Sequence, residues 1–170
     1  MRRPIRRVVT GFDEHGASIV TLDGATPIDI ESLNGGPEVT FVWATPDVAV
    51  LPAPSADPIV GLVDAFPRPG GSSVMIVTHP PGSGVTGGDG MDGDLAGDVT
   101  VDLDGLHATE TVDYIIVISG EIWLELDNKA EVKLGPGDVL VQNGTRHGWR
   151  NRGTQDATVA VVLLGARRAT

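Results

Sequence analysis

His107-Ala-Thr109-Glu110-Thr111-Val-Asp113-Tyr114-Ile115-Ile-Val117-Ile-Ser-Gly120-Glu121 is a β-branched, alternating run that opens on a histidine and closes on a glycine. A second run of the same kind follows: Gly137-Asp138-Val-Leu-Val-Gln-Asn-Gly144-Thr-Arg146-His147-Gly-Trp149-Arg150-Asn151. Residues 111–119, 121–127, 130–134, 138–142, 148–152 and 158–164 all read as strands, with Gly or Asn-Lys turns between most of them. Short strands at regular spacing without an amphipathic helix predict an antiparallel sandwich or barrel. The fold class is all-β.

Upstream the pattern is looser. Residues 7–11 and 17–22 flank Asp13-Glu14-His15-Gly16, a hairpin signal, and residues 38–44 and 72–78 are further strands. Pro46, Pro52, Pro54 and Pro58 make 45–58 a meandering segment, and 59–65 is read as a helical turn or two. Residues 82–98 are rich in Gly and Asp and read as an acidic loop. Within it Gly87-Gly88-Asp89-Gly90-Met91-Asp92 matches one calcium-binding repeat, which needs tandem copies to stack. The expected organisation is an N-terminal set of accessory strands (1–71), a barrel (72–165) and a tail (166–170).

Bulk properties narrow the function. A chain of 170 residues can bury one real core. Its 12 basic and 23 acidic residues give a net charge of −11, which argues against nucleic acid and anionic membranes as partners. There is no cysteine, so disulfide and thiolate chemistry are excluded. Arg2-Arg3-Pro4-Ile5-Arg6-Arg7 is basic without an apolar stretch behind it, so a cytoplasmic location is expected.

Strand parity indicates which side chains meet inside. His107, Thr109, Thr111, Asp113, Ile115 and Val117 share one face, while Glu110, Val112 and Tyr114 share the other. On the later strand His147 and Trp149 oppose Arg150 and Arg152, and placing the arginines in water turns His147 and Trp149 inward. Asp113 is therefore the favoured carboxylate beside the histidines. Glu110 is the reserve, because a bulge near Thr109 would reverse the choice. His79 shares parity with Met75 and Val77 and is expected to pack near the barrel mouth. Tyr114 is expected between sheets, Arg146 in a solvent-facing turn, Trp123 at the surface, and His15 in water.

These two runs resemble the paired motifs of the cupin superfamily. The first family motif is His-x-His, then Glu, then Gly; here His107 matches, Thr109 replaces the second histidine and Asp113 replaces the glutamate ahead of Gly120. In the second motif Gly137, Gly144, His147 and Asn151 match, the proline is missing, and the stretch before Gly144 is one residue shorter. The resemblance implies a jelly-roll barrel with a divalent ion (Fe, Mn, Zn or Ni) on His107, Asp113 and His147. It also implies a small organic substrate walled by Thr109, Ile115, Val117, Trp149 and His79. Oxygenase, decarboxylase or isomerase chemistry would follow from the metal. A metal-free cyclase, dehydratase or epimerase using His–Asp acid–base catalysis is the alternative, and a non-catalytic ligand-binding module is the third reading. A homodimer joined through edge or N-terminal strands is expected.

Overall fold

The structure is a computed structural model that describes residues 4–30, 35–62, 64–84, 102 and 105–169. Eleven strands are described: β1 (Arg6–Phe12), β2 (Ser18–Ala25), β3 (Ile28–Ile30), β4 (Glu38–Thr45), β5 (Ser72–His79), β6 (Thr111–Ser119), β7 (Ile122–Leu126), β8 (Glu131–Leu134), β9 (Val139–Gln142), β10 (His147–Arg150) and β11 (Ala157–Gly165). The chain is all-β, as its alternation and glycine spacing predict. The acidic run 82–98, including Gly87 to Asp92, lies outside the described residues from position 85 onward. Among the described residues of 59–65 there is no helix; residues 59–61 form a turn, and Ile59 is fully buried in the core. Among the described residues, no helix is long and apolar enough to cross a membrane.

Two sheets form the barrel. The larger runs β3-β4-β5-β11-β6-β9, the smaller β10-β7-β8, and every pair is antiparallel. Strands β3 and β4, upstream of residue 72, are thus part of the large sheet, whereas β1 and β2 form a ribbon of their own. On β6, Thr111, Asp113, Ile115 and Val117 are buried and Tyr114 and Ile118 are exposed, which is the alternation of a strand with one wet face. Ile115, Val117 and Val159 of the large sheet pack with Ile122 and Leu134 of the small one. A second cluster joins Val39, Phe41 and Met75 to Ile59, Ala65 and Leu163. A register shift between Phe41 and Trp43 lets β4 turn Val39, Phe41 and Ala44 inward together.

Local chemistry sets the turns that matter for the site. Between β7 and β8, Asn128 and Lys129 both take φ of 59°, the left-handed geometry that suits the twist of a tight hairpin. Gly120 closes the first motif at φ 72°, and a Cβ there would lie 2.3 Å from the Asp156 carbonyl oxygen. The glycine is required twice over, by conformation and by space.

Two expectations fail on the outer faces. Arg150 is buried rather than solvated, and Tyr114 is 41% exposed rather than packed between sheets. Arg150 faces away from the barrel interior, but residues 83–84 and 105–106 cross that outer surface. A Cβ on Gly148 would meet Leu106, the Arg150 guanidinium and the Gly105 carbonyl; one on Gly84 would meet the Trp149 carbonyl. The Arg150 guanidinium bonds Glu125 of β7 at 2.8 Å, so its charge is compensated under that cover.

Candidate active site

The two motifs meet through their histidines. Outside the named strands, His107 forms an antiparallel bridge to His147, each amide donating to the other's carbonyl at 2.8 Å. The bridge sets the two rings with centroids 4.5 Å apart. Trp149 stands edge-on to His147 at 6.0 Å, and His79 lies 6.4 Å beyond Trp149. A row of four rings therefore runs from β5 across β10 to the entry of the first motif. Gly144 lets the motifs close on one another: at φ 61° its would-be Cβ lies 3.0 Å from the Thr109 carbonyl oxygen.

Backbone carbonyls orient the imidazoles. His147 Nδ1 lies 2.9 Å from the Thr145 carbonyl oxygen, so Nδ1–H donates and Nε2 is left as the basic atom of the neutral ring. Gln142 Nε2 donates to the same carbonyl at 2.9 Å. Burial pushes the His107 pKa down to about 4, with the nearby His147 and Arg150 charges adding to it and a bond to the Gly105 backbone opposing it. Burial also lowers that of His147, against the Thr145 bond, and takes that of His79 to about 4. All three rings are uncharged near neutrality.

Asp113 takes its place inside the barrel, and Glu110 points outward, 3.5 Å from Arg168. The expected ligand set of His107, Asp113 and His147 is nevertheless not assembled. Among the described residues no group of three or more His, Asp or Glu side chains is placed to hold a metal ion. The short Asp113 side chain bonds Thr111, whose hydroxyl lies 2.7 Å from that of Thr109. Its position in β6 sets it between Leu163 of β11 and Gln142 of β9. Burial pushes its pKa up to about 6, against the Thr111 bond, and its Oδ1 has no hydrogen-bond partner among the described residues. Thr109, in the second-histidine position, is buried and serves this hydroxyl row. The donor chemistry offers two imidazoles and fits a metal centre with three protein ligands poorly.

Of the remaining expected residues, Ile115 and Val117 wall the core, Trp149 is half-buried beside His147, and His79 is buried. Sequence reasoning did not assign the supporting contacts of three residues. Gln142 fixes the carbonyl that fixes His147. Asn151, fully buried, donates to the carbonyls of His79 and Gln155 and accepts from the Gly153 amide, tying β10 to β5. Arg146, expected in a solvent-facing turn, grips Asp102 at 2.7 Å and Asp127 at 2.8 Å. The match of Asn151 to the second motif was a signal for one of the three; the others carried none.

A barrel of this topology with a histidine pair inside it defines the class. Residues 96–163 match the family model described as Cupin domain. Protein D of the phomopsin biosynthesis cluster of Diaporthe leptostromiformis is 30% identical over 157 residues, covering 89% of this chain and 72% of the relative. Protein J of the oryzines biosynthesis cluster of Aspergillus oryzae is 30% identical over 172 residues, covering 96% and 84%. The Schizosaccharomyces pombe Cnp3 cupin domain superposes with a TM-score of 0.50 over 96% of this chain and 89% of that one, at 9% identity, a likeness of fold alone. The chain belongs to the cupin superfamily.

Proposed function

We propose that this cupin is an enzyme of small-molecule biosynthesis that moves protons with His107 and His147. The observation that carries the reading is the bridged pair: two neutral imidazoles with ring centroids 4.5 Å apart, each tied to a backbone carbonyl. A neutral ring accepts a proton from substrate, and the lowered pKa of its conjugate acid makes it ready to give the proton back. Removal and return of a proton suits isomerisation, cyclisation or dehydration of an organic molecule held against Trp149 and the apolar wall. The relatives' printed association with biosynthesis clusters supports a biosynthetic role.

A divalent ion on the same two imidazoles is the second reading. The His147 Nδ1 bond to a carbonyl favours it, since metal-binding imidazoles are commonly oriented this way. Such an ion would polarise a substrate oxygen.

Untagged protein would be incubated with metabolite extract from a strain lacking it, with and without chelator, and followed by mass spectrometry. A conversion that survives chelation and is lost in both His107→Gln and His147→Gln supports acid–base chemistry. Loss on chelation, with metal bound in stoichiometric amount, replaces it with the second reading. A conversion unaffected by either substitution overturns both.

A further inference from the structure

His147 is the middle member of a row of three chain segments. Its backbone bridges His107 on one side and pairs with Leu126 of β7 on the other. Arg146, the residue before it, reaches both neighbours. Its Nε and Nη2 each lie 2.7 Å from one carboxylate oxygen of Asp102, and its Nη1 donates to Asp127 at 2.8 Å. Asp127 directly follows Leu126, so it stands across from Arg146 in the continued β10–β7 register. Asp102 belongs to the approach to His107: its amide donates to the Leu106 carbonyl at 2.9 Å, and its own carbonyl accepts from the Gly105 amide at 2.8 Å.

Both holds lead back to the backbone groups that orient the rings. Gly105, bonded to Asp102, also bonds the His107 ring through its backbone. Thr145, adjacent to Arg146 in the chain, offers its carbonyl to Nδ1 of His147. A guanidinium presents its N–H donors in a rigid planar fork, so two carboxylates bound to it are fixed relative to one another. Without that cation the same two carboxylates face each other with like charge, and the segments that carry them repel.

We infer, resting on the reading of His107 and His147 as the proton-moving pair, that Arg146 is a positioning residue for both: by holding Asp102 and Asp127 together it fixes how the two rings face one another. The Arg146 side chain is 34% exposed, and ion pairs in contact with water add little to global stability. The consequence of removing it therefore falls on the site rather than on the barrel. A misplacement of about 1 Å between reacting groups costs on the order of 100-fold in rate, so turnover carries the effect more than substrate binding does.

The test reads ring geometry and turnover separately. In Arg146→Met, nitrogen-edited spectra should show His147 passing from a single Nδ1–H tautomer to a mixture, and the nuclear Overhauser contact between the His107 and His147 rings lost, at an unchanged unfolding midpoint. Arg146→Lys keeps the charge without the fork and should restore only part of that contact. Asp102→Asn should disturb the His107 signals first and Asp127→Asn those of His147, a division that general loosening of the barrel would not produce. These two variants also decide the matter if Arg146→Met does not fold. Arg152→Met, which releases Glu131 at the surface, should leave both rings as in the wild type. With the substrate converted in the metabolite extract, Arg146→Met should lower kcat about 10–100-fold and change KM by less than about threefold. Wild-type ring signals in Arg146→Met, or equal ring changes in Arg152→Met, would overturn the inference. Displaced ring signals in Arg146→Met, with no conversion of the extract by the wild type, would instead overturn the acid–base reading and uphold the positioning role.

Discussion

Gln142 and His147 share one acceptor, the carbonyl of Thr145, which each approaches to 2.9 Å. The buried end of β9 thereby sets the tautomer of a histidine at the start of β10. A carbonyl held by two donors has little freedom to swing, and the ring it orients inherits that constraint.

Gln142→Leu is expected to cost about 1–3 kcal/mol, the usual range when a buried hydrogen bond is deleted and its partner is left short. The more telling readout is the ring. Nitrogen chemical shifts of His147 should move from a single Nδ1–H tautomer towards a mixture. A single tautomer retained in the variant would show that Gln142 does not contribute.

Stability should fall with acid through the histidines. The folded pKa of His79 is about 4 against an ordinary value of 6.5, so the folded state binds fewer protons. The full stability is present above pH 6.5 and is lost as pH falls towards 4, by up to about 3 kcal/mol for this group. His107 acts in the same direction. Urea denaturation across pH 4–8 should show a shallower acid slope in His79→Leu than in the wild type.

Asp113 works with the opposite sign. Its folded pKa is raised from 3.8 to about 6, so its contribution is fully present below 3.8 and lost as pH rises through 6. Asp113→Asn should therefore be more stable than wild type at pH 8, by up to about 3 kcal/mol, and nearly equal to it at pH 4. Equal stability of the two proteins at both pH values would contradict a carboxyl whose pKa is raised by burial.

Two glycines with positive φ should respond differently to alanine. At Gly137, φ 90°, nothing lies within 4 Å of the added Cβ, and the cost should be backbone strain of about 1–2 kcal/mol. At Gly120 the Asp156 carbonyl is 2.3 Å away, so Gly120→Ala must also displace the turn before β11. Thermal unfolding should rank Gly120→Ala well below Gly137→Ala.

The buried pair of Arg150 and Glu125 can be dissected by a double-mutant cycle. Arg150→Met leaves the Glu125 carboxylate, 14% exposed, without this cation and should cost about 3–5 kcal/mol. Arg150→Met with Glu125→Leu should recover most of that loss. A double variant as unstable as the sum of the two singles would show that the pair is not coupled.

Strand existence and facing were legible because they rest on a local period of two. Thr111, Asp113, Ile115 and Val117 face inward, and Glu110 and Tyr114 face outward, as their parity requires. The histidines were legible for the same reason, together with the glycines that let the two motifs approach. Arg150 was not, because its burial depends on segments near residues 84 and 106 that cross the small sheet from outside. Parity says which way a side chain points and nothing about what will cover it.

Sequence alone determined an all-β chain, its resemblance to the cupins, and His107 and His147 as the centre of the site. Tertiary structure decided what stands beside them. It joined the histidines through two backbone hydrogen bonds, tied Asp113 to Thr111, and left the three without a common metal-binding geometry. The physical reason is reach. Alternation fixes a face to within half a residue repeat, but ligation turns on distances of an ångström or less. Those are set by strand register across the barrel and by the length of a side chain, here one methylene shorter than glutamate.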